Sequence, residues 1–314
     1  MTAQQRLSIS QMKKNNYGDL PEHWVADWLL YVLQKPASFL ITDAEYKLTD
    51  AEQAHFESGI EQMRSGTPLA YLTGKQAFWS LDFFVNEHTL IPRPDTEVLV
   101  EQVLAWIDTH YAQVQNDDAD DINDFNDANK LPKRLLDLGT GSGCIAISLA
   151  HELQMLAPNH TASQWQVTAI DYSNPALEVA RRNAALNKVT NIEFIQSDWF
   201  SALEAANTNK ESPRFDIIVS NPPYIVDDDE HLDKLKAEPL SALVAPDNGL
   251  GDIKQIAGQA RGYLVSGGLL AVEHGYDQGA AVRQIFTDFG YTQVKTVQDY
   301  GGNDRVTMGV WVSA

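Results

Sequence analysis

Short, mostly apolar runs alternate with helically spaced segments through the last two thirds of the chain. The runs are typical of buried strands, which we predict at 133–138, 166–170, 192–195, 215–219, 268–273, 292–297 and 305–312. Apolar residues three and four positions apart predict helices between them, at 144–150, 174–187, 253–265 and 279–289. Because strand and helix alternate, we predict an α/β fold: a doubly wound, mostly parallel sheet with a late antiparallel strand.

The first quarter of the chain has a helical pattern without such runs. Trp24, Trp28 and Leu29 share one helix face, a spacing typical of a packed core. A second helix is predicted after Thr49, because Glu52 stands three residues on in a capping-box pattern. We therefore predict four parts of the chain: a polar, frayed extension at 1–19, a small helical domain at 20–76, a hairpin and linker at 77–95, and the α/β domain at 96–314.

Composition restricts the classes of function. The chain of 314 residues has 43 acidic and 23 basic side chains and a net charge of −20, which argues against a broad nucleic-acid surface. The charge either attracts a basic partner or only keeps the protein soluble. A single cysteine, Cys144, excludes an intramolecular disulfide and fits a reducing cytosol. We expect a cytoplasmic protein, since neither a signal peptide nor a run of roughly 18 apolar residues is visible.

Six aspartates crowd residues 116–127. The segment superficially resembles a calcium loop, but the sharp-turn glycine and the closing glutamate of such loops are absent. We therefore predict a solvated acidic insert and no metal site.

A glycine-rich loop, Gly139-Thr140-Gly141-Ser142-Gly143, joins the first of these strands to a helix. Glycine lets the backbone approach a ligand, and the helix N-terminus offers free N–H groups. The spacing is neither that of dinucleotide sites nor that of a Walker loop. Asp171, after the second strand, is placed to accept hydrogen bonds from ribose hydroxyls. After the third, Asp198 could accept from an adenine amine, and Trp199 could either pack on the ring or belong to the core.

The loop Asn221-Pro222-Pro223-Tyr224 follows the next strand, at the edge where open α/β sheets bind ligands. Its prolines remove two backbone donors, so the loop offers carbonyl oxygens, an amide and a flat ring. These groups suit a planar NH₂ group, although the tetrapeptide alone is also a common turn. Arg93, between two prolines, is either a surface charge or a residue at the mouth of the cleft.

Together these loops resemble class I S-adenosylmethionine-dependent methyltransferases that modify NH₂ groups, whose fold is Rossmann-like. Further segments are similar to the peptide chain release factor N5-glutamine methyltransferases, the PrmC/HemK family: Thr67-Pro-Leu-Ala-Tyr-Leu-Thr-Gly74, Ile91-Pro-Arg-Pro-Asp-Thr-Glu97, Leu135-Leu-Asp-Leu-Gly-Thr-Gly-Ser-Gly143, Ser197-Asp-Trp-Phe200 and Asp299-Tyr-Gly-Gly-Asn-Asp-Arg305. The resemblance covers most of residues 20–314. Neither the polar extension nor the acidic insert falls on one of its motifs.

This resemblance implies methylation, at N5, of the glutamine in the Gly-Gly-Gln loop of class I release factors, with S-adenosylmethionine as cofactor and no direct contact with nucleic acid or membrane. It implies cofactor contacts from Gly139, Thr140, Gly141, Ser142, Gly143, Asp171, Asp198, Trp199 and Asn221. It implies substrate contacts from Asn221, Pro222, Pro223, Tyr224 and Arg93, of which Asn221, Pro222 and Tyr224 are catalytic. The helical domain is then the candidate platform for the release factor. Two alternatives stay open: a glutamine methyltransferase of a ribosomal protein, and a DNA adenine N6-methyltransferase, for which no target-recognition segment or basic face is visible.

Overall fold

A computed structural model describes residues 6–111, 132–155, 165–205 and 213–313. The chain divides into two compact units, Met1–Lys75 with Asp233–Ala237, and Gln76–Leu232 with Glu238–Ala314. Hydrophobic clusters lie within each unit. The acidic insert expected at 116–127 lies outside the described residues.

The first unit is helical. Its helices are α1 Ile9–Met12, α2 Glu22–Leu33, α3 Phe39–Thr42, α4 Asp50–Arg64 and α5 Leu69–Thr73. The start of α4 is the capping box predicted from the sequence: Glu52 N donates to Thr49 Oγ1 at 3.2 Å, and Thr49 N donates to Glu52 Oε2 at 2.7 Å. Trp28 of α2 and Phe56 of α4 meet in its core.

Residues 8–12 differ from the frayed polar extension expected at 1–19. Ser8 caps α1 in a capping box and pairs with Lys47 in an isolated bridge. Ile9 and Met12 are buried in the core of the helical unit. Ile9 and Met12 have helical spacing, but two apolar positions among polar residues are too few to predict a buried helix from sequence.

The second unit contains a separate hairpin, β1–β2, and a seven-stranded sheet in the order β5-β4-β3-β6-β7-β9-β8. The strands are β1 Lys75–Phe78, β2 Leu81–Phe84, β3 Lys133–Leu138, β4 Trp165–Asp171, β5 Ile192–Gln196, β6 Phe215–Ser220, β7 Leu264–Glu273, β8 Thr292–Gln298 and β9 Asp304–Trp311. Strands β5, β4, β3, β6 and β7 are parallel, and β9 runs antiparallel to both β7 and β8. The predicted Rossmann-like, mostly parallel sheet is therefore confirmed.

Helices cover both faces of this sheet. They are α6 Glu97–Tyr111, α7 Cys144–Met155, α8 Asn174–Leu186, α9 Ser201–Ala205, α10 Gly251–Ala260 and α11 Gly279–Asp288, with 3₁₀ turns at Pro94–Thr96, Glu230–Lys234 and Leu240–Ala242. Successive strand residues point to opposite faces, so Ile217 packs in the cluster with α6 and α7, and Ile218 in the cluster with α10 and α11.

The helix expected at 253–265 is shorter in the structure. Helix α10 ends at Ala260, and β7 already begins at Leu264. The cause is a tertiary contact, because Phe215 N donates to Tyr263 O at 2.7 Å and draws this segment alongside β6. Apolar spacing alone cannot distinguish the end of a buried helix from the start of a buried strand.

We expect Gly59→Ala to destabilise the protein, because Trp28 fills the space beside Gly59. A methyl group there would lie 2.1 Å from Cε2 of the indole, whose Nε1 donates to Phe56 O at 3.0 Å. Alanine normally stabilises a helix interior by about 1 kcal/mol over glycine, but overpacking costs about 1–3 kcal/mol or more. We predict a net loss of about 1–2 kcal/mol in the free energy of unfolding by urea denaturation. Ser58→Ala, at the exposed neighbouring position, should change it by less than about 0.5 kcal/mol, and equal values for the two variants would contradict the packing argument.

Candidate active site

The carboxyl ends of the central strands meet along one edge of the sheet. Leu138 of β3 pairs with Ile170 of β4 on one side and with Ser220 of β6 on the other, and Ser220 pairs with Val272 of β7. The Ser220 hydroxyl also donates to Leu138 O at 2.7 Å. The residues that follow these four positions therefore lie side by side: Gly139, Asp171, Asn221 and Glu273.

The glycine loop 139–143 leaves open space beside its backbone. Gly139, Gly141 and Gly143 have φ values of +71°, +56° and +83°, a region that favours glycine. A methyl group on Gly143 would meet Ile147 Cδ1 at 2.7 Å, so the packing at this position favours glycine over a residue with a side chain. A methyl group on Gly141 would meet nothing within 4 Å, so this part of the loop can receive a ligand.

Asp171 holds the glycine loop in place. Its Oδ2 accepts from Gly141 N at 2.7 Å and its Oδ1 from Ser173 N at 2.8 Å, which joins the loop to the start of α8. Burial raises the pKa of Asp171, and the two backbone hydrogen bonds oppose the rise. The ring of Trp199 would lie 3.7 Å from a methyl group on Gly139, which places it against the same loop. Asp198 is exposed, and its side chain makes no hydrogen bond to any residue of the described part.

Two further buried side chains support the loop, and neither was predicted. Asp137 Oδ2 accepts from Thr140 Oγ1 at 2.6 Å, and burial raises the pKa of Asp137 to about 7. Asn183 donates through Nδ2 to Ser142 O at 2.8 Å and to Phe84 O at 3.0 Å, and its Oδ1 accepts from Phe84 N at 2.7 Å. Asn183 thus ties the β1–β2 hairpin to the glycine loop.

The Asn221–Tyr224 loop is fixed at both ends. Asn221 Nδ2 donates to Thr96 Oγ1 at 3.3 Å, while Oδ1 makes no hydrogen bond among the described residues. Tyr224 N donates to Leu243 O at 3.2 Å, and Tyr224 O accepts from Gln278 Nε2 at 3.0 Å. Pro222 is buried and Pro223 half-buried, and the Pro222 carbonyl accepts no hydrogen bond from the residues that the structure describes.

A buried charge cluster lies behind this loop. The Tyr224 hydroxyl donates to Glu273 Oε1 at 3.4 Å, and burial, reinforced by Glu273, raises the pKa of Tyr224. Glu273 is 1% exposed; burial raises its pKa to about 7, against the opposing effects of Thr96, Arg305 and Tyr224. Arg305 Nη2 donates to Asp299 Oδ2 at 3.0 Å. Neither Thr96 nor Arg305 was predicted as a site residue. Both nevertheless lie in segments that resemble family motifs, 91–97 and 299–305, and that resemblance was the sequence signal that could have identified them.

Arg93 forms an ion pair within its own chain. Its guanidinium donates to Glu238 Oε1, and the other Glu238 oxygen accepts from Ile91 N at 3.0 Å. The Glu238 side chain is 2% exposed and that of Arg93 37%. The pair therefore joins the proline segment at 91–94 to the chain that follows Tyr224.

Across the ranges that the structure describes, no helix is long and apolar enough to cross a membrane, and no group of three or more His, Cys, Asp or Glu could hold a metal ion.

Residues 130–303 match the family model of a methyltransferase domain, and residues 10–74 match that of the PrmC N-terminal domain. A release factor glutamine methyltransferase of Vibrio cholerae is 43% identical over 306 residues, 97% of this chain and 94% of that protein. The chain belongs to the release factor glutamine methyltransferase family. The family member of Aliivibrio fischeri is 42% identical over 296 residues, 94% of this chain and 92% of that protein. The family resemblance predicted from the sequence motifs is thus confirmed, and with it the methyltransferase class.

Among solved structures, a release-factor-specific protein-(glutamine-N5) methyltransferase from Alicyclobacillus acidocaldarius is 26% identical. The match covers 74% of this chain and 100% of that one, with a TM-score of 0.38. Membership of the family rests on the sequence relatives and the family models.

We expect Asp137→Asn to weaken the pH dependence of stability. The folded-state pKa of Asp137 is raised from 3.8 to about 7, so the folded protein holds a proton that the unfolded chain releases. Its contribution to stability is therefore present below about pH 4 and is lost as the pH rises to about 7. Between pH 5 and 8 the melting temperature of Asp137→Asn should fall less than that of the wild type, as measured by calorimetry.

The matched control for this experiment is Asp233→Asn. Asp233 is exposed, and a hydrogen bond from Lys236 lowers its pKa, so the variant should follow the wild type. If Asp137→Asn also followed the wild type, Asp137 would not hold a proton in the folded protein.

Proposed function

We propose that this protein transfers a methyl group from S-adenosylmethionine to N5 of the glutamine in the Gly-Gly-Gln loop of class I release factors. The observation that carries the proposal is the Asn221 amide: its Oδ1 is free among the described residues, and it lies beside the open glycine loop in a chain of this family. An acceptor oxygen next to an open space is what a methyl-accepting NH₂ group requires.

The residues present fit S-adenosylmethionine. The open side of Gly141 leaves room for it, and Trp199 lies against the same loop. The Asp171 oxygens each have a lone pair left to accept from ribose hydroxyls, and the exposed Asp198 carboxylate is available to an adenine amine. When bound, the cofactor would supply an electrophilic methyl group on sulfur. We propose Gly139, Thr140, Gly141, Ser142, Gly143, Asp171, Asp198, Trp199 and Asn221 as its contacts.

The Asn221–Tyr224 loop would bind the glutamine amide. Its nitrogen is a weak nucleophile because the lone pair is delocalised into the carbonyl. Asn221 Oδ1 and the Pro222 carbonyl would accept its two hydrogens, which orients the nitrogen and favours the positive charge that develops on it. Tyr224 and Pro223 would pack against the amide plane. Positioning of this kind supplies up to about 7–11 kcal/mol in the best cases, and the surplus proton then leaves to water.

The partner belongs to the same proposal. The helical unit, which contains residues 10–74 of the matched N-terminal domain, is our candidate platform for the release factor. Its partner acts in translation, so we propose the cytoplasm as the site of action. The net charge of −20 disfavours DNA as the acceptor. A ribosomal protein remains the second candidate acceptor.

The acceptor is tested by methyl transfer from labelled S-adenosylmethionine. We expect label in a class I release factor, and none in the same factor with its Gly-Gly-Gln glutamine changed to alanine, in ribosomal proteins or in duplex DNA. The intact factor should also have a higher kcat/KM than a short peptide containing Gly-Gly-Gln, since only the factor can contact the helical unit. Label in ribosomal proteins or in DNA, but not in the release factor, would contradict the proposal and would identify the labelled molecule as the acceptor.

We expect Asn221→Ala to slow the chemical step far more than it weakens cofactor binding. Loss of one oriented acceptor in the transition state costs about 10²–10³-fold in kcat. The dissociation constant of S-adenosylmethionine, measured by calorimetry, should change by less than about threefold. Gln284→Ala, which removes an exposed amide from α11, is the control and should match the wild type in both measurements. An equal loss of rate and of cofactor affinity would contradict the role assigned to Asn221.

A further inference from the structure

The first end of the Asn221–Tyr224 loop is held by the 3₁₀ turn Pro94–Thr96. Asn221 Nδ2 donates to Thr96 Oγ1 at 3.3 Å, and Thr96 is 2% exposed. The turn itself begins after Arg93, whose carbonyl oxygen accepts from Thr96 N at 3.1 Å. The position of the Asn221 amide therefore depends on the position of Arg93.

A second 3₁₀ turn, Leu240–Ala242, holds the other end of the loop. Tyr224 N donates to Leu243 O at 3.2 Å, and Leu243 N in turn donates to Leu240 O at 3.0 Å. Glu238 precedes this turn by two residues. The position of the Tyr224 backbone therefore depends on where Glu238 is anchored.

Glu238 connects the two turns. Its Oε1 accepts from the Arg93 guanidinium, and its Oε2 accepts from Ile91 N at 3.0 Å. The Glu238 side chain is only 2% exposed, and a carboxylate that has been removed from water in this way requires both partners. Because the release of either partner would leave a buried charge without compensation, the connection holds one geometry.

These contacts close a ring within the second unit of the chain. Its members, in order around the ring, are Asn221, Thr96, Arg93, Glu238, Leu243 and Tyr224. The Asn221–Tyr224 loop is one side of this ring, and the Arg93–Glu238 ion pair is the opposite side. The two prolines of the loop fix their own φ angles, so a change in the spacing of the two turns would displace the loop as a whole.

We propose that Arg93 and Glu238 are positioning residues: their ion pair sets the spacing of the two turns, and through it the orientation of the Asn221–Tyr224 loop. Arg93 thereby acts on the loop, in place of the substrate contact that the family resemblance implies. The inference rests on the proposed function, because it takes this loop as the site that binds the glutamine amide.

The first test is Glu238→Gln, which keeps the shape of the side chain and removes its charge. A glutamine turns its NH₂ group toward either the guanidinium or Ile91 N–H, so one of the two contacts is lost. We expect kcat to fall about 10-fold or more, because a displacement of about 1 Å at the reacting groups costs up to about 10²-fold. The dissociation constant of S-adenosylmethionine should stay within about threefold of the wild type. An unchanged kcat would overturn the proposal.

Asp216→Asn is the matched control. Asp216 also binds one cation and one backbone N–H, from Lys133 Nζ at 3.1 Å and Arg134 N at 2.8 Å, and its side chain is 10% exposed. It lies near the amino end of β6, whereas the Asn221–Tyr224 loop follows the carboxyl end. Both variants should lower the midpoint of urea unfolding, but only Glu238→Gln should lower the kcat of the folded protein. An equal fall in kcat would indicate a general loss of structure and would overturn the proposal.

Arg93 provides a second test, through the additivity of its effect with that of Glu238. Arg93→Ala should lower kcat by about as much as Glu238→Gln, about 10-fold, because both remove the same connection. The double variant should lose little more than the more impaired single variant, since residues that act through one contact are not additive. If Arg93 contacted the substrate by itself, the two losses would multiply to about 100-fold, and this result would overturn the proposal.

A conservative replacement decides the matter if Glu238→Gln fails to fold. Arg93 contacts Glu238 through Nη2 at one carboxylate oxygen, a contact that a lysine ammonium group can also make. Arg93→Lys should therefore recover most of the kcat that Arg93→Ala loses, with the KM for the acceptor within about threefold of the wild type in both variants. Equal kcat values for lysine and alanine, or a loss that falls on KM instead of kcat, would overturn the proposal.

Each rate is expressed relative to the wild type on whichever acceptor the wild type methylates. An error in the proposed acceptor would appear in the wild type alone, whereas an error in the role of the Arg93–Glu238 pair would appear only in the ratios.

Discussion

The shared register of β3, β6 and β7 is the constraint on which the site depends. Parallel pairing aligns Leu138, Ser220 and Val272, so the next residue of each strand emerges at the same edge. A slip of one residue would turn every side chain of a strand to the opposite face. The hydrogen bond from the Ser220 hydroxyl to Leu138 O secures this register one residue before Asn221.

The same edge concentrates buried charge. Asp137 and Glu273 are both buried, and burial raises both pKa values to about 7. An acid that is reluctant to ionise destabilises the folded state at neutral pH, and such groups cluster at functional sites. Asp137 accepts a hydrogen bond from Thr140, and Glu273 accepts one from Tyr224. Each acid therefore contacts a residue that we propose as a ligand contact. These two acids therefore lower the stability of the folded protein at the edge of the sheet where the proposed ligand contacts must be oriented.

Local patterns in the sequence were enough for the sheet, the glycine loop and the Asn221–Tyr224 loop, because strand ends and turns are encoded by neighbouring residues. The contacts that orient the site were not predictable in this way. Asn221 and Thr96 are 125 positions apart, and Asn183 and Phe84 are 99 apart. A single sequence carries no sign of which buried polar groups will meet. The early helix at Ile9–Met12 was missed for a related reason, since its burial depends on partners in other helices.

The loop that would bind the substrate amide is anchored through two side chains to two other parts of the chain. Asn221 Nδ2 donates to Thr96 Oγ1, in the turn before α6, and the Tyr224 hydroxyl donates to Glu273 Oε1, at the end of β7. The Asn221 amide is thereby held by its donor end, which leaves its acceptor oxygen without a hydrogen bond among the described residues. The orientation of the loop therefore depends on partners that its own sequence does not contain.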